Sequence, residues 1–255
     1  MKKLIFVMLT GLACSGALKA QFASNGVVAH RGAWKVDGLP QNSLASFSRA
    51  VELGCAGSEF DVYLTADSVL VLNHDADLQG LPVETSTLAE LQQKTLSNGE
   101  TIALLDNIMK RLVKQKKTRA FLEIKPSAVS QEHGFAAVDK ILEMVAGYKA
   151  QAWIIYISFD YSYLQRINEK DPEARTAYLD KDKTMETIIA DKQFGIDFNQ
   201  KVYKNDENII ATAKQNKINI NVWTVNKEED MLYFLDKGVD FITTDQPGKL
   251  LKLIK

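Results

Sequence analysis

The chain of 255 residues has few cysteines, prolines and glycines, and each shortage excludes a class of protein. Two cysteines cannot build a disulfide framework or a zinc cluster. Five prolines and 14 glycines are too few for a collagen-like or low-complexity chain. A hydrophobic content of 46% is too high for a disordered chain. The composition is that of a globular protein, with one large domain or two small ones.

An excess of charge of one sign is also missing. The 31 basic and 32 acidic residues give a formal charge of -1 at pH 7. Bulk electrostatics therefore does not draw the chain to nucleic acid or to anionic lipid. No nucleic-acid partner is expected, and the oligomeric state cannot be read from the composition.

The N-terminal apolar run is too short for a membrane span. Residues 4–13 carry no charge and follow Lys2 and Lys3, whereas a bilayer span needs about 20 apolar residues. A basic start, a short apolar stretch and small residues predict a secretory signal over residues 1–20, cleaved after Ala20. The alternative is lipid attachment at Cys14. We therefore expect an exported protein, in the bacterial periplasm, with no transmembrane segment after cleavage.

Cleavage changes the charge and the thiol content of the mature chain. It removes Lys2, Lys3 and Lys19, which leaves 28 basic residues against 32 acidic ones, a formal charge of -4. It also leaves Cys55 as the one thiol, so no intrachain disulfide can form. Cys55 is interpreted as a small core residue.

Strand-like and helix-like segments alternate along the rest of the chain. Eight strands separated by helical patterns predict a parallel α/β sheet, and at this length a closed (β/α)8 barrel is the economical solution. An open doubly wound sheet is the alternative, but no Gly-x-Gly-x-x-Gly follows the first strand. We expect one domain over residues 21–255. The predicted strands are Val27–His30, Glu59–Leu64, Ala120–Ile124, Trp153–Ser158, Thr176–Leu179, Gly195–Phe198, Asn219–Val225 and Phe241–Thr244.

Three local signals add detail to this pattern. Spacings of three and four in Leu44, Phe47 and Val51, followed by Gly54, predict a helix and its end. Val69–Leu72 after the second strand predicts a hairpin that carries His74 away from the barrel wall. The third signal is a capping box of Asn226 with Glu229, in a helix that Gly238 closes.

Charged residues occupy the inward face of two predicted strands. Alternation places Glu59 and Asp61 opposite the apolar Phe60, Val62 and Leu64, which pack against helices. In the same way, Glu123 and Lys125 share one face of the third strand. Buried carboxylates must be neutralised by protonation, basic partners or a metal. Glu59, Asp61 and Glu123 together form an all-oxygen site suited to Ca²⁺ or Mg²⁺. The alternative is a set of structural salt bridges with Arg31 and Lys125.

Two of the three histidines lie at strand ends, where barrel enzymes carry their catalytic groups. His30 ends the first strand and His74 follows the hairpin strand. They are candidate acid–base groups, although a single histidine is more often structural. His133 is interpreted as a loop or helix-start residue.

Taken in order, these segments resemble the glycerophosphodiester phosphodiesterase family. The resemblance covers residues 27–247 and implies a (β/α)8 barrel that uses Ca²⁺ or Mg²⁺. It also implies cleavage of glycerophosphodiesters to glycerol 3-phosphate and an alcohol. The matching segments are His30-Arg31-Gly32, Glu59-x-Asp61, His74-Asp75, Leu122-Glu123-Ile124-Lys125, Ser158-Phe159, Asn221-Val222-Trp223-Thr224-Val225-Asn226 and Thr243-Thr244-Asp245.

The resemblance also implies roles for the candidate residues. It assigns metal binding to the three carboxylates and acid–base catalysis to the two strand-end histidines. Arg31 and Lys125 are expected to contact the phosphate. Trp223 shares a strand face with Asn221 and Val225, so it walls the glycerol or alcohol pocket or is an ordinary core aromatic.

One segment departs from the family pattern. Pro40-Gln41-Asn42-Ser43 stands where the family has Pro-Glu-Asn-Thr, so Gln41 replaces a carboxylate that is expected to support Arg31 or the cation. Gln41 and Asn42 are therefore interpreted as supporting residues around the site. Two rival functions remain open: a phospholipase D-like enzyme for sphingomyelin or lysophospholipids, and a barrel that binds phosphate esters without hydrolysing them.

Overall fold

A computed structural model describes residues 22–254, which form a closed barrel of parallel strands surrounded by helices. The predicted signal segment and Cys14 lie outside the described residues, so both remain predictions. The strands are β1 (Val27–Ala29), β2 (Gly57–Leu64), β3 (Leu70–Leu72), β4 (Asp77–Leu78), β5 (Leu81–Pro82), β6 (Ala103–Leu104), β7 (Arg119–Ile124), β8 (Ile154–Ser158), β9 (Thr176–Tyr178), β10 (Gly195–Asn199), β11 (Asn219–Trp223) and β12 (Phe241–Thr244).

Eight of these strands close the ring, which confirms the predicted (β/α)8 barrel. Strand β1 pairs in parallel with β12 on one side and with β2 on the other. The ring continues through β7 to β11 in sequence order. The helices are α1 (Trp34–Asp37), α2 (Leu44–Leu53), α3 (Leu88–Leu91), α4 (Leu105–Leu112), α5 (Gln131–Gly147), α6 (Tyr161–Lys170), α7 (Met185–Ala190), α8 (Gln200–Asn205), α9 (Asn208–Gln215), α10 (Glu228–Asp236) and α11 (Pro247–Leu253).

The two faces of each strand belong to different apolar clusters. Phe60, Val62 and Leu64 lie in the large cluster between the barrel and its helices, as the alternation predicts. Cys55 is buried in the same cluster and is a core residue. A smaller apolar cluster fills the barrel interior, and it consists of Val28, Phe121, Ile155, Ile157, Ala177 and Leu179. The inward side chains of this cluster therefore form an apolar packing layer inside the ring.

The segment between β2 and β7 adds a small layer outside the ring. The C-terminal part of β2 pairs with β3 in antiparallel fashion, which confirms the predicted hairpin. Strand β3 also pairs with β6, and β4 pairs with β5. A separate apolar cluster holds this layer together, and it consists of Tyr63, Val71, Leu78, Val83, Leu91 and Ile102.

The observed ends of α2 agree with the sequence prediction, whereas the start of α10 differs from it. Helix α2 begins after Ser43 and ends at Gly54 in the left-handed conformation, as predicted. The predicted capping box at α10 is wrong, because this helix begins after Lys227 and has no side-chain cap. The Asn226 side chain instead forms hydrogen bonds with Asp245 and Thr244, so it does not cap the backbone N–H groups at the start of α10. Among residues 22–254, no helix is both long and apolar enough to cross a membrane.

Close packing in the barrel interior gives a stability prediction at Gly57. A Cβ atom on this residue would lie 2.5 Å from the Phe121 ring. We expect Gly57→Ala to lower the free energy of unfolding by about 1–3 kcal/mol, because the ring must shift in a filled core. Gly248→Ala is the matched control, since a Cβ atom there meets nothing within 4 Å and the residue lies in α11. Urea unfolding of both variants checks this, and equal effects would contradict the packing argument.

Candidate active site

The carboxyl ends of the strands surround one pocket that gathers most of the predicted site residues. It is lined by both candidate histidines, two of the three carboxylates and both candidate phosphate contacts, together with apolar side chains from the opposite wall. The lining residues are His30, Arg31, Glu59, His74, Glu123, Lys125, Ile157, Phe159, Leu179, Asp197, Trp223, Thr224 and Thr243. His133 lies outside this set.

Three carboxylates form the polar centre of the pocket. One oxygen from each of Glu59, Asp61 and Glu123 lies within 4.8 Å of the others, and all three residues are buried. Strands β2 and β7 pair so that Asp61 stands beside Glu123, which explains why residues 62 positions apart meet. Such a cluster of oxygen ligands has the composition that Ca²⁺ and Mg²⁺ prefer.

Two cations partly neutralise this cluster. The Lys125 ammonium lies 2.7 Å from Glu123 Oε1 and 3.3 Å from Asp61 Oδ1, and Arg31 Nε lies 3.8 Å from Asp61 Oδ2. The salt bridges of the alternative interpretation are therefore present. They do not balance the site, because three carboxylates face two cations.

The pKa values of two of these carboxyl groups also indicate an excess of negative charge in the cluster. Burial, followed by the charges of Asp61 and Glu123, raises the pKa of Glu59 well above its usual range. Burial and the charge of Asp61 raise the pKa of Glu123 to about 7. Among the described residues, no donor reaches Glu59 Oε1, although Arg31 N donates to Oε2 at 2.8 Å. A buried oxygen without a donor and a surplus of negative charge fit a divalent cation bound here.

A tight loop after β1 places Arg31 and Asn42 against the carboxylates. Asn42 Nδ2 donates to Asp61 Oδ2 at 2.8 Å, and its Oδ1 accepts from Asp61 N at 3.0 Å. Gly32 has a φ of +80°, and a Cβ atom there would lie 2.4 Å from Ser46 Oγ. Only glycine fits this turn without displacing α2, which accounts for the third residue of the His-Arg-Gly motif.

Gln41 contacts Arg31, the first of its two predicted partners. Its Oε1 accepts a hydrogen bond from Arg31 Nη1 at 2.6 Å. We expect Gln41→Glu to raise turnover or tighten metal binding by up to about tenfold, because a charged acceptor holds the guanidinium more strongly than a neutral one. Metal titration and turnover of this variant check the prediction. A fall in both would show that the added charge repels the substrate phosphate instead.

Each candidate histidine has a carboxylate at Nδ1. His30 Nδ1 lies 2.7 Å from Asp245 Oδ1, and His74 Nδ1 lies 2.7 Å from Asp75 Oδ1. His74 follows β3, outside the ring, yet lines the same pocket as His30. A carboxylate at Nδ1 fixes the tautomer and leaves Nε2 for proton transfer. His133 instead lies 3.0 Å from the Leu64 carbonyl oxygen and 3.7 Å from Glu84, as a structural residue would.

The far wall of the pocket is apolar. Trp223 donates from Nε1 to the Asp197 carbonyl at 2.8 Å, and its ring meets Phe159 edge to face at 5.8 Å between centroids. Trp223 packs against the interior apolar cluster and also lines the pocket. The expectation that Val225 shares its face is wrong, because β11 ends at Trp223 and Val225 packs on the helix side.

The sequence interpretation missed two buried acids at the site. Asp197 lies on the inward face of β10, and burial raises its pKa to about 8. Its neighbours Ile196 and Phe198 point outward, so the alternation that found Glu59 could have found it. Asp245 was recognised only as part of a motif, and nothing local in the sequence indicates that it binds His30.

Comparisons with known proteins agree on one family. Residues 30–249 match the model of the glycerophosphoryl diester phosphodiesterase family. A glycerophosphodiester phosphodiesterase from Caldanaerobacter subterraneus is 28% identical over 242 residues, which cover 90% of this chain and 97% of the relative. Strand β1 and the last residues of α11 lie outside the matched segment, and every other described helix and ring strand lies within it.

Two solved structures have the same architecture. A glycerophosphodiester phosphodiesterase from Parabacteroides distasonis superposes with a TM-score of 0.87 at 37% identity, covering 90% of this chain and 96% of the other. A phosphodiesterase from Oleispira antarctica, solved with the product sn-glycerol-3-phosphate, has a TM-score of 0.80 at 24% identity. This match covers 89% of the present chain and 96% of the Oleispira antarctica chain, and it shows that the two proteins share a fold.

Proposed function

Since the chain belongs to the glycerophosphoryl diester phosphodiesterase family, we propose that it hydrolyses glycerophosphodiesters to glycerol 3-phosphate and an alcohol. One observation carries this proposal. A buried three-carboxylate cluster, two cations and two carboxylate-bound histidines line or border a single pocket. A phosphodiester is a small anionic substrate, and its cleavage needs each of these components.

Glu59, Asp61 and Glu123 would hold the divalent cation, Ca²⁺ or Mg²⁺. Bound there, the cation would supply positive charge to the phosphate oxygens as negative charge develops on them. Arg31 and Lys125 stand next to the same carboxylates. Arg31 would contact phosphate oxygens through its planar guanidinium and Lys125 as a point charge.

His30 and His74 would divide the proton transfers between them. One imidazole, acting through its free Nε2, takes a proton from the attacking water or substrate hydroxyl. The other, protonated, gives a proton to the oxygen that leaves phosphorus. Asp245 and Asp75 stabilise the imidazolium forms through Nδ1. One proton is taken up and one is released in each turnover, so the number of protons on the pair is unchanged. The two imidazoles end with exchanged protonation states, and proton exchange with solvent resets them.

The apolar wall would hold the carbon chain of one alcohol arm. Trp223 and Phe159 stand on this wall, and Ile157 and Leu179 complete it. The phosphate then lies between the wall and the charged side. A pocket with one charged side and one apolar side can therefore accept a substrate that carries a charged phosphate and an uncharged alcohol group.

The experiment that tests the proposal is product release from a panel of glycerophosphodiesters, measured with and without Ca²⁺ or Mg²⁺. We expect release of glycerol 3-phosphate that excess chelator abolishes and that added cation restores. Added cation should also raise the melting temperature, because it binds the folded state. Activity on intact sphingomyelin or lysophospholipid alone would favour the phospholipase D-like alternative. Tight binding of a diester without release of product would favour a barrel that only binds phosphate esters. Full activity in excess chelator would contradict the proposed dependence on a divalent cation.

We also propose that residues 1–20 direct export to the periplasm, with cleavage after Ala20. The proposal is supported by the sequence pattern alone. The intact mass of the protein purified from the periplasmic fraction tests it. A chain that begins at Gln21 supports cleavage, and a lipidated N-terminus at Cys14 would replace that proposal with membrane anchoring.

A further inference from the structure

Neighbouring strands bring His30 and Asp245 together, although they are 215 positions apart. Strand β1 pairs with β12 in parallel, with Ala29 beside Thr244, so the residue that follows each strand meets the other. His30 N also donates to the Thr244 carbonyl at 3.0 Å. The backbone register therefore places the two residues side by side at the end of the ring.

The Asp245 carboxylate is shared between His30 and two other donors. Its Oδ1 faces His30 Nδ1 at 2.7 Å, whereas its Oδ2 accepts from Lys35 Nζ at 2.9 Å and from Asn226 Nδ2 at 2.8 Å. The side chain of Asp245 is only 11% exposed. Burial raises its pKa, but the hydrogen bonds from His30 and Lys35 outweigh burial and hold the pKa well below the usual range.

Lys35 reaches this carboxylate from a separate part of the fold. It lies on the short helix α1, in the loop between β1 and α2, and its ammonium also lies 4.9 Å from the centre of the Trp34 ring. Unlike Arg31 and Lys125, it has no contact with the carboxylate cluster among the described ion pairs. Among the described residues, its ion-pair partner is Asp245.

We propose that Lys35 is a positioning residue for His30, acting through Asp245. Its ammonium holds Oδ2 so that Oδ1 stays aimed at His30 Nδ1, and its positive charge offsets part of the carboxylate's pull on the imidazole proton. This inference rests on the proposed function only for its effect on turnover. The effect on His30 itself is independent of any substrate.

The proposal predicts that substitutions of Lys35 and of Asp245 shift the titration of His30 in opposite directions. Lys35→Met leaves the carboxylate charge fully available to His30, so His30 should titrate at higher pH. Asp245→Asn removes that charge, so His30 should titrate at lower pH. Because Lys35 is 37% exposed, solvent screens its charge, and we expect an upward shift of about half a pH unit. The other charged groups that line the pocket are unchanged in both variants: Arg31, Glu59, His74, Glu123, Lys125 and Asp197.

The experiment is an NMR titration of the imidazole signals in the Mg²⁺-loaded protein. The chain has only three histidines, so His74→Gln and His133→Gln variants assign the His30 signal. Lys35→Arg should leave the titration as in the wild type. Lys237→Met is the matched control, because it removes a similar ion pair, to Glu207 at 2.7 Å, that does not involve the pocket. Melting temperatures show that each variant is folded.

Turnover gives a second measurement on the same variants. The pH limb of kcat/KM that His30 controls should move upward in Lys35→Met and downward in Asp245→Asn, whichever of the two proton transfers His30 performs. An unmoved His30 titration in Lys35→Met, or movement in the same direction in both variants, would overturn the inference. If Asp245→Asn does not fold, the comparison of Lys35→Met with Lys35→Arg decides alone. Absence of hydrolysis in the wild type would contradict the proposed function but leave the NMR result as the test of this inference.

Discussion

Glu59→Gln is expected to weaken Ca²⁺ or Mg²⁺ binding by roughly 100-fold and to remove cation-dependent hydrolysis. The amide oxygen can still accept the hydrogen bond from Arg31 N, and the NH₂ group takes the place of Oε1, which no described donor reaches. The shape of the site is therefore kept while one charged ligand is lost. Isothermal titration with each cation and product release measure the two effects.

The same substitution should not destabilise the cation-free protein. Burial raises the pKa of Glu59, so the folded state holds a proton that the unfolded state releases as pH rises above the usual range. Stability therefore falls with rising pH because of this group, and glutamine removes that loss at pH 7. Urea unfolding in chelator checks the sign. A large loss of stability would mean that Glu59 is a structural partner and not a metal ligand.

Glu84→Gln is the matched control for this experiment. Glu84 is also buried and also accepts a backbone hydrogen bond, from Ala128 N at 2.9 Å. It lies outside the three-carboxylate cluster. We expect its amide variant to bind the cation as the wild type does, so a fall in affinity in both variants would indicate a general effect of removing buried charge.

His30→Ala and His74→Ala are each expected to lower turnover by about 10²–10⁴-fold, the usual contribution of a general acid or base. His133→Ala is the control and should lose little turnover, because His133 contacts Leu64 and Glu84 and does not line the pocket. Turnover on a natural glycerophosphodiester measures the effect. Near-normal turnover in either of the first two variants would remove that histidine from the mechanism.

A substrate with a very good leaving group separates the two roles. Such a group departs without protonation, so the variant that lacks the general acid should recover most of its lost rate. The variant that lacks the general base should not recover. Equal recovery in both variants would contradict a division of the proton transfers between His30 and His74.

Local pattern was enough to predict the barrel and the carboxylate cluster. The pleat of a strand has a period of two, so the sequence alone shows that Glu59 and Asp61 face one way and Phe60 and Val62 the other. The apolar residues of each strand identify the helix side, and the charged face must then be the interior. Asp197 obeys the same rule, and it was missed because only one charged residue marks its strand.

The partners of His30 could not be found in this way. Asp245 meets it because β1 and β12 close the ring in one register, and no local spacing encodes the pairing of the first strand with the last. Asn226 also looks like a helix cap in sequence, but the Asp245 carboxylate and backbone N–H compete successfully for its side chain. The faces of these strands depend on near neighbours in the chain, so they follow from the order of the residues alone. The environment of each candidate catalytic residue depends on strand register and loop packing over the whole chain, so it becomes visible only in the folded protein.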